Sequence, residues 1–249
     1  RVGDINMLID GGNATPKTPT DAVVNYLRAA GVDKIDVYII THWHLDHCMN
    51  MNAVLAEFGD AETIIYSPAD RVPDEIFNGS VTVQIGAPVN GTHRQMKAGD
   101  VLELGGMTIT CIGPEKLSRN GGCNADSLNF VLQYGDRRIL FTGDFAQSNG
   151  INGEYRDLCA DVDVLKFPHH GLEPYEIGTK AMRVVRPKYV LVPGSVKRFS
   201  IWNFADDIYV KFPVENVYTN ADGPVVILTD GGEYFEVRTQ QEPADYAKE

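Results

Sequence analysis

The sequence predicts an α/β fold with two mixed β-sheets and helices packed on their outer faces. Strands alternate with helices at the start of the chain, and a run of short β segments follows from Val81 to Phe141. Three apolar strands end in residues that ligate metals. Strand termini gather at one edge of a sheet, so these ends belong together.

Asn6–Asp10 is a short apolar run stopped by Gly11-Gly12, a strand ending in a turn. Thr20-Asp21 caps a helix through Val23, Val24, Leu27 and Ala30 that stops at Gly31. Ile35–Ile40 is the second strand. Helical spacing of Met51, Val54, Leu55 and Phe58 follows, closed by Gly59, and Thr63–Tyr66 is again strand-like. In the β-rich middle, Val81–Ile85, Val101–Leu104, Met107–Ile112, Asn129–Tyr134 and Arg138–Phe141 are strands. Gly105-Gly106 and Gly135-Asp136 mark hairpins between them. Val162–Phe167 and Tyr189–Val192 are further strands on either side of a helix from about Gly178 to Val185. Val225–Thr229 and Tyr234–Arg238 flank Asp230-Gly231-Gly232 as a terminal hairpin.

The 249 residues are 43% hydrophobic and 22% charged, the proportions of an ordinary globular protein. No linker, repeat or low-complexity stretch divides them, so one domain over residues 1–249 is expected. The net charge of −12, with no basic run longer than Arg137-Arg138 or Lys197-Arg198, argues against extended nucleic-acid binding through phosphates. A metal site brings its own positive charge, so an anionic small-molecule or polymer substrate, nucleic acid included, stays open. No apolar run approaches the ~20 residues of a membrane span. The chain opens at Arg1 rather than methionine, which fits an N-terminal segment lying outside it. Extracellular, cell-surface and cytoplasmic locations are all compatible, and oligomeric state is not legible. Cys48, Cys111, Cys123 and Cys159 are irregularly spaced and read as free thiols.

Thr41-His42-Trp43-His44-Leu45-Asp46-His47 places three of the six histidines and an aspartate within six residues, directly after a strand. Imidazole and carboxylate are the donors that divalent zinc, manganese and iron accept. Ile139–Asp144 is an apolar strand ending in Gly-Asp, and a carboxylate there can bridge two cations. Val164–Phe167 leads into Pro168-His169-His170-Gly171. His93 sits among polar residues and reads as a surface histidine.

In order and spacing, His42-X-His44-X-Asp46-His47, Thr142-Gly-Asp144 and His169-His170-Gly171 resemble the metallo-β-lactamase fold superfamily. Within it the chain looks most like the branch containing the hydrolase domain of the ComEC DNA-uptake proteins. Leu8–Gly12, Lys97–Asp100, Leu104–Gly106, Asn124–Leu128, Phe141–Asp144, Leu165–Gly171, Val217–Thr219 and Asp230–Gly232 carry that likeness over nearly the whole chain.

The resemblance implies a four-layer αββα sandwich with two divalent ions, zinc or manganese and less readily iron, at one edge of the sheets. His42 and His44 would hold the first ion and Asp46, His47 and His170 the second, with Asp144 as the bridge. His169 would face the substrate as proton donor or phosphate contact; the reverse assignment of the two neighbours stays open. Many members supply a third histidine to the first ion. Asn124 stands there in this chain, with Cys123 and Asp126 nearby as alternatives. An amide oxygen is a weaker, harder ligand, which favours manganese over zinc. Flavin-linked di-iron members carry a Glu where this chain has His44, so hydrolysis is expected rather than redox chemistry.

The leading functional expectation is phosphodiester hydrolysis by a metal-activated water, with Asp46 orienting the nucleophile. The substrate is a nucleic acid or a small or wall-linked diester. Tyr175, Lys197, Arg198, Trp202 and Asn203 are candidate pocket residues. Hydrolysis of an ester, thioester, lactone or lactam is the alternative, and a non-catalytic metal-binding member the third.

Overall fold

A computed structural model describes residues 1–13, 21–77, 82–172, 177–194 and 216–239. These residues form two compact units. One comprises Arg1–Met96 with Lys116–Asp126, the other Lys97–Glu115 with the described part of Ser127–Gln241.

The first unit is built on a four-stranded parallel sheet: β1 (Met7–Ile9), β2 (Val37–Ile39), β3 (Ile64–Ser67) and β6 (Thr92–Gln95), in that spatial order. Helix α1 (Asp21–Ala29) lies between β1 and β2 in the chain, and α2 (Leu45–Cys48) and α3 (Met51–Phe58) between β2 and β3. Central parallel strands are enclosed on both faces, which is why Val37, Tyr38 and Ile39 are all buried. Helix α3 buries Met51, Val54, Leu55 and Phe58, the four residues whose spacing predicted it. Each such side chain contributes roughly 1.5–3 kcal/mol of transfer free energy. Val23, Val24 and Leu27 of α1 pack on the same core, and Arg28 reaches Glu57 at 2.6 Å. A separate hairpin, β4 (Glu75–Phe77) with β5 (Thr82–Gln84), completes the unit.

The second unit holds a seven-stranded mixed sheet, ordered β13-β12-β11-β10-β9-β8-β7. The strands are β7 (Val101–Leu104), β8 (Met107–Gly113), β9 (Asn129–Tyr134), β10 (Arg137–Phe141), β11 (Val164–Lys166), β12 (Tyr189–Val192) and β13 (Val217–Thr219). Strands β7 to β10 are antiparallel and β10 to β13 parallel. The turns at Gly105-Gly106 and Gly135-Asp136 join β7 to β8 and β9 to β10, as the sequence predicts. Helices α4 (Ser148–Asn152), α5 (Arg156–Cys159) and α6 (Thr179–Val185) belong to this unit. Ile151, Cys159, Met182 and Val185 share one core with Leu140, Leu165 and Val190 of the sheet. The predicted terminal hairpin is β14 (Val225–Thr229) with β15 (Phe235–Thr239).

The readings of 81–85 and of the stretch around His93 are corrected by the structure. Within the segment predicted over 81–85, Thr82–Gln84 pairs in the small hairpin of the first unit and does not begin the β-rich sheet. Strand β6 was not foreseen, because Thr-His-Arg-Gln is polar; it lies at the edge of its sheet, where one side needs no apolar cover. His93 lies on β6, half-buried, with Nε2 2.9 Å from Ser67 Oγ, so it is a paired strand residue rather than a surface histidine. Among the described residues no helix is long and apolar enough to cross a membrane.

Candidate metal centre

In the first unit, β1 and β2 end side by side and turn into the ligand-type segment. Met7–Ile9 pairs in register with Val37–Ile39, so Asp10 arrives beside Ile40 and Thr41. Asp10 Oδ1 accepts a hydrogen bond from the Thr41 amide at 2.8 Å. Its Oδ2 accepts from Thr41 Oγ1 at 2.8 Å and meets His47 Nδ1 at 2.8 Å. Burial alone would raise the Asp10 pKa; the His47 and His42 imidazoles and the Thr41 amide outweigh it and hold the carboxyl below its ordinary value. An ionised carboxylate only accepts, so His47 Nδ1 carries a proton and Nε2 is the nitrogen left to face a ligand. Thr41 gives its hydroxyl hydrogen to Asp10, so its oxygen accepts from His42 Nδ1, 3.3 Å away. His42 is thereby set in the same tautomer.

Three imidazoles are packed together. The His42 ring centroid lies 4.6 Å from that of His44 and 4.1 Å from that of His47. His42 and His47 are buried and His44 half-buried, while Asp46 on α2 is exposed, with Oδ2 4.0 Å from His47 Nε2. Gly11 lets the chain pass closely: a Cβ there would sit 2.2 Å from Tyr38 Oη. The Gly11 amide donates to the His47 carbonyl at 2.7 Å, which fixes α2 against β1.

Asn124 belongs to this unit too. It is 9% exposed, and its buried Oδ1 meets no hydrogen-bond donor among the described residues. Leaving a carbonyl oxygen buried and dry costs on the order of 1–3 kcal/mol unless a cation or ligand meets it. Asp126 serves differently. Its carboxylate accepts the amides of Ser118, Arg119 and Gly121 at 2.5, 2.8 and 2.8 Å, and so shapes the 118–122 loop. That use removes it as a substitute ligand. Cys123 is half-exposed.

In the second unit, β10 ends in Thr142-Gly143-Asp144 and β11 in Lys166, parallel and in register. Asn129 organises the turn after β10. Its Nδ2 donates to the carbonyls of Ser127, Thr142 and Phe145 at 3.2, 3.0 and 2.9 Å, and its Oδ1 accepts from the Gln147 amide. The Asp144 amide donates to Ser127 Oγ at 3.0 Å, and the buried Asp144 carboxylate comes within 3.8 Å of Lys166 Nζ.

His169, His170 and Gly171 take left-handed backbone conformations, with φ of 50°, 55° and 77°. For the two histidines this costs on the order of 1 kcal/mol each, a strain that persists only where the surroundings impose it. His170 Nδ1 donates to the Pro193 carbonyl at 3.1 Å, which turns Nε2 towards Asp144, 3.5 Å from its Oδ2. His169 Nδ1 meets the Leu172 carbonyl at 3.1 Å, and the two rings are 6.4 Å apart. Gly194 packs under His170: a Cβ would fall 2.0 Å from the His170 carbonyl oxygen.

Of the sequence-predicted residues, the first unit gathers His42, His44, Asp46 and His47, and the second brings Asp144 to His170. Tyr175, Lys197, Arg198, Trp202 and Asn203 lie outside the described residues, as does the Thr20 cap. Asp10, Thr41 and Asn129, which orient the ligand-type residues, were missed. Asp10 had left a signal, an acidic residue between an apolar strand and Gly-Gly. The cysteines are free, and burial pushes Cys48 far up and Cys111 and Cys159 up to about 12, which makes them packing residues.

Residues 6–191 match the family model of the beta-lactamase superfamily domain, a span containing every residue placed above from Asp10 to His170. The chain belongs to this superfamily. It is similar to the metallo-beta-lactamase fold protein YhfI from Bacillus subtilis, at 12% identity and a TM-score of 0.52, over 88% of this chain and 85% of that one. Weaker likenesses include the metallo-beta-lactamase SMB-1 bound to 2-mercaptoethanesulfonate (14% identity, TM-score 0.48, 74% and 83% covered). A diphosphatase from the PhnP family stands at 14% identity and a TM-score of 0.43, with 74% and 67% covered. A search among curated proteins finds no match. The α/β class read from the sequence is thus the metallo-β-lactamase fold.

Proposed function

We propose that this protein is a metal-dependent hydrolase of phosphodiesters, in the manner of the ComEC-related branch it resembles. The observation that carries the metal is the convergence of two ligand-type groups: His170 Nε2 and an Asp144 carboxylate oxygen stand 3.5 Å apart at the ends of neighbouring strands. Imidazole with carboxylate at that separation is the donor set of zinc and manganese. The buried Asn124 oxygen adds a hard donor of the same kind.

In this reading His42, His44 and Asn124 would hold one ion, and Asp46, His47 and His170 the other, with Asp144 serving both. Bound divalent ions supply Lewis acidity, which makes water acidic near neutral pH and offsets charge on phosphate oxygens. The protein's own groups do the rest. Asp10 and Thr41 hold His47 and His42 in the tautomer that presents Nε2. Asp46, exposed beside His47, orients the attacking water. His169, with Nδ1 held by the Leu172 carbonyl, would give the leaving oxygen the Nε2 proton of its doubly protonated ring and be left neutral.

Stripping the protein with chelator and restoring manganese or zinc tests the reading. Turnover of bis(p-nitrophenyl) phosphate returns with metal, faster with manganese, while p-nitrophenyl acetate is not cleaved above background. Metal-restored cleavage of the acetate alone would make the enzyme an acyl hydrolase instead.

A further inference from the structure

A groove of about 390 Å³ opens within the first unit, walled by Trp43, His44, Arg71, Phe77 and Arg119. His44 is one of the proposed ligands, so the groove begins at the reacting centre. Arg71 and Arg119 are exposed, and their guanidinium groups make no ion pair among the described residues, although the chain carries an excess of acids. The arginines come from two loops tied to each other. Asn120 Nδ2 donates to Asp70 Oδ1 at 2.9 Å, and Asp126 fixes the backbone of Arg119. Trp43 is buried and its indole N–H has no acceptor among the described residues; Phe77 is 69% exposed.

Asp74 and Glu75 also line the groove, and Glu75 already accepts from Gln84 Nε2 at 2.9 Å. With both signs present the groove is no general anion trap. It suits a ligand that offers an anion to the guanidinium groups, hydroxyl or base N–H donors to the carboxylates and a low-polarity face to the aromatic rings. A phosphorylated sugar or polyol has all three.

We propose that this groove is a substrate subsite that takes the phosphate next to the scissile diester on a sugar- or polyol-phosphate chain. The inference rests on the phosphodiesterase reading and names its substrate class.

The test compares wild type with the Arg71→Gln, Arg119→Gln double variant, both changes at exposed positions. On a thymidine dinucleotide bearing a terminal phosphate, KM rises about tenfold or more. On the dinucleotide without that phosphate, and on bis(p-nitrophenyl) phosphate, KM stays within about twofold. Equal KM changes on all three substrates would overturn the subsite. Binding in EDTA separates the two readings. If no diester is turned over, weaker anisotropy-measured binding of labelled eight-nucleotide thymidylate or a labelled glycerol-phosphate oligomer by the variant still supports the groove. The tighter of the two identifies the chain, and identical binding of both by both proteins overturns the proposal.

Discussion

The Asp10 carboxylate and the His47 imidazole meet at 2.8 Å, and this contact fixes which nitrogen of the histidine is offered as a ligand. Asp10→Asn keeps the shape, but an amide group can turn its NH₂ towards Nδ1 and release the tautomer. Metal affinity should fall about 10- to 100-fold, read by competition with a calibrated chelator, while circular dichroism stays unchanged. Unaltered affinity would remove Asp10 from the orienting role.

Gly194→Ala tests the seat of His170. The new Cβ would fall 2.0 Å from the His170 carbonyl oxygen, which is backbone and must shift. A displacement of that size near a reacting centre costs up to about 100-fold in rate. Turnover of bis(p-nitrophenyl) phosphate should drop by at least tenfold on this scale, in protein that still unfolds cooperatively.

Asn129→Ala takes this partner from the Ser127 and Phe145 carbonyls and the Gln147 amide, while the Thr142 carbonyl keeps the Phe145 amide. With a buried group costing about 1–3 kcal/mol when left unmade, denaturant titration should show a loss of roughly 3 kcal/mol or more. A loss below about 0.5 kcal/mol, the range of ordinary surface changes, would show that water replaces the amide.

Acid stability has a separate handle. Asp163 is 3% exposed and accepts from Lys188 Nζ at 2.6 Å, the Arg138 amide at 3.0 Å and Arg137 at 3.2 Å. Burial pushes its pKa up, but these partners together hold it below the ordinary value. A carboxyl with a depressed folded pKa stabilises fully above the unfolded value of about 3.9. That stabilisation disappears as the pH falls through the lower folded value. Asp163→Asn should therefore be less stable than wild type by about 2 kcal/mol at pH 7, with the gap narrowing below about pH 4. A gap independent of pH would show that the charge is not the stabilising feature.

The ligand-type residues were legible because few residue types bind divalent ions, and three strand ends concentrate them. Apolar periodicity found α3 and β2 for the same reason: their burial leaves a pattern in the chain. What could not be read depends on tertiary contact. Asp10 looks like an ordinary turn residue and Asn129 like the first residue of a strand, until folding brings Thr41 or Thr142 beside them. Strand β6 is polar because an edge position permits it. Arg71 and Arg119 lie almost fifty residues apart in loops, and only the Asn120–Asp70 contact shows that they share a groove. Asp126, weighed as a ligand from its position, is consumed by the amides of its own loop.

The central claim is that Asp144 helps hold the metal that activates water. The most direct measurement pairs metal content with turnover of bis(p-nitrophenyl) phosphate, for wild type and Asp144→Ala restored with manganese. The account predicts two ions and diester cleavage in wild type, with loss of at least one ion and at least a hundredfold in rate in the variant, on the scale of a lost metal-centred stabilisation. Equal metal content and equal turnover in the two proteins would contradict it.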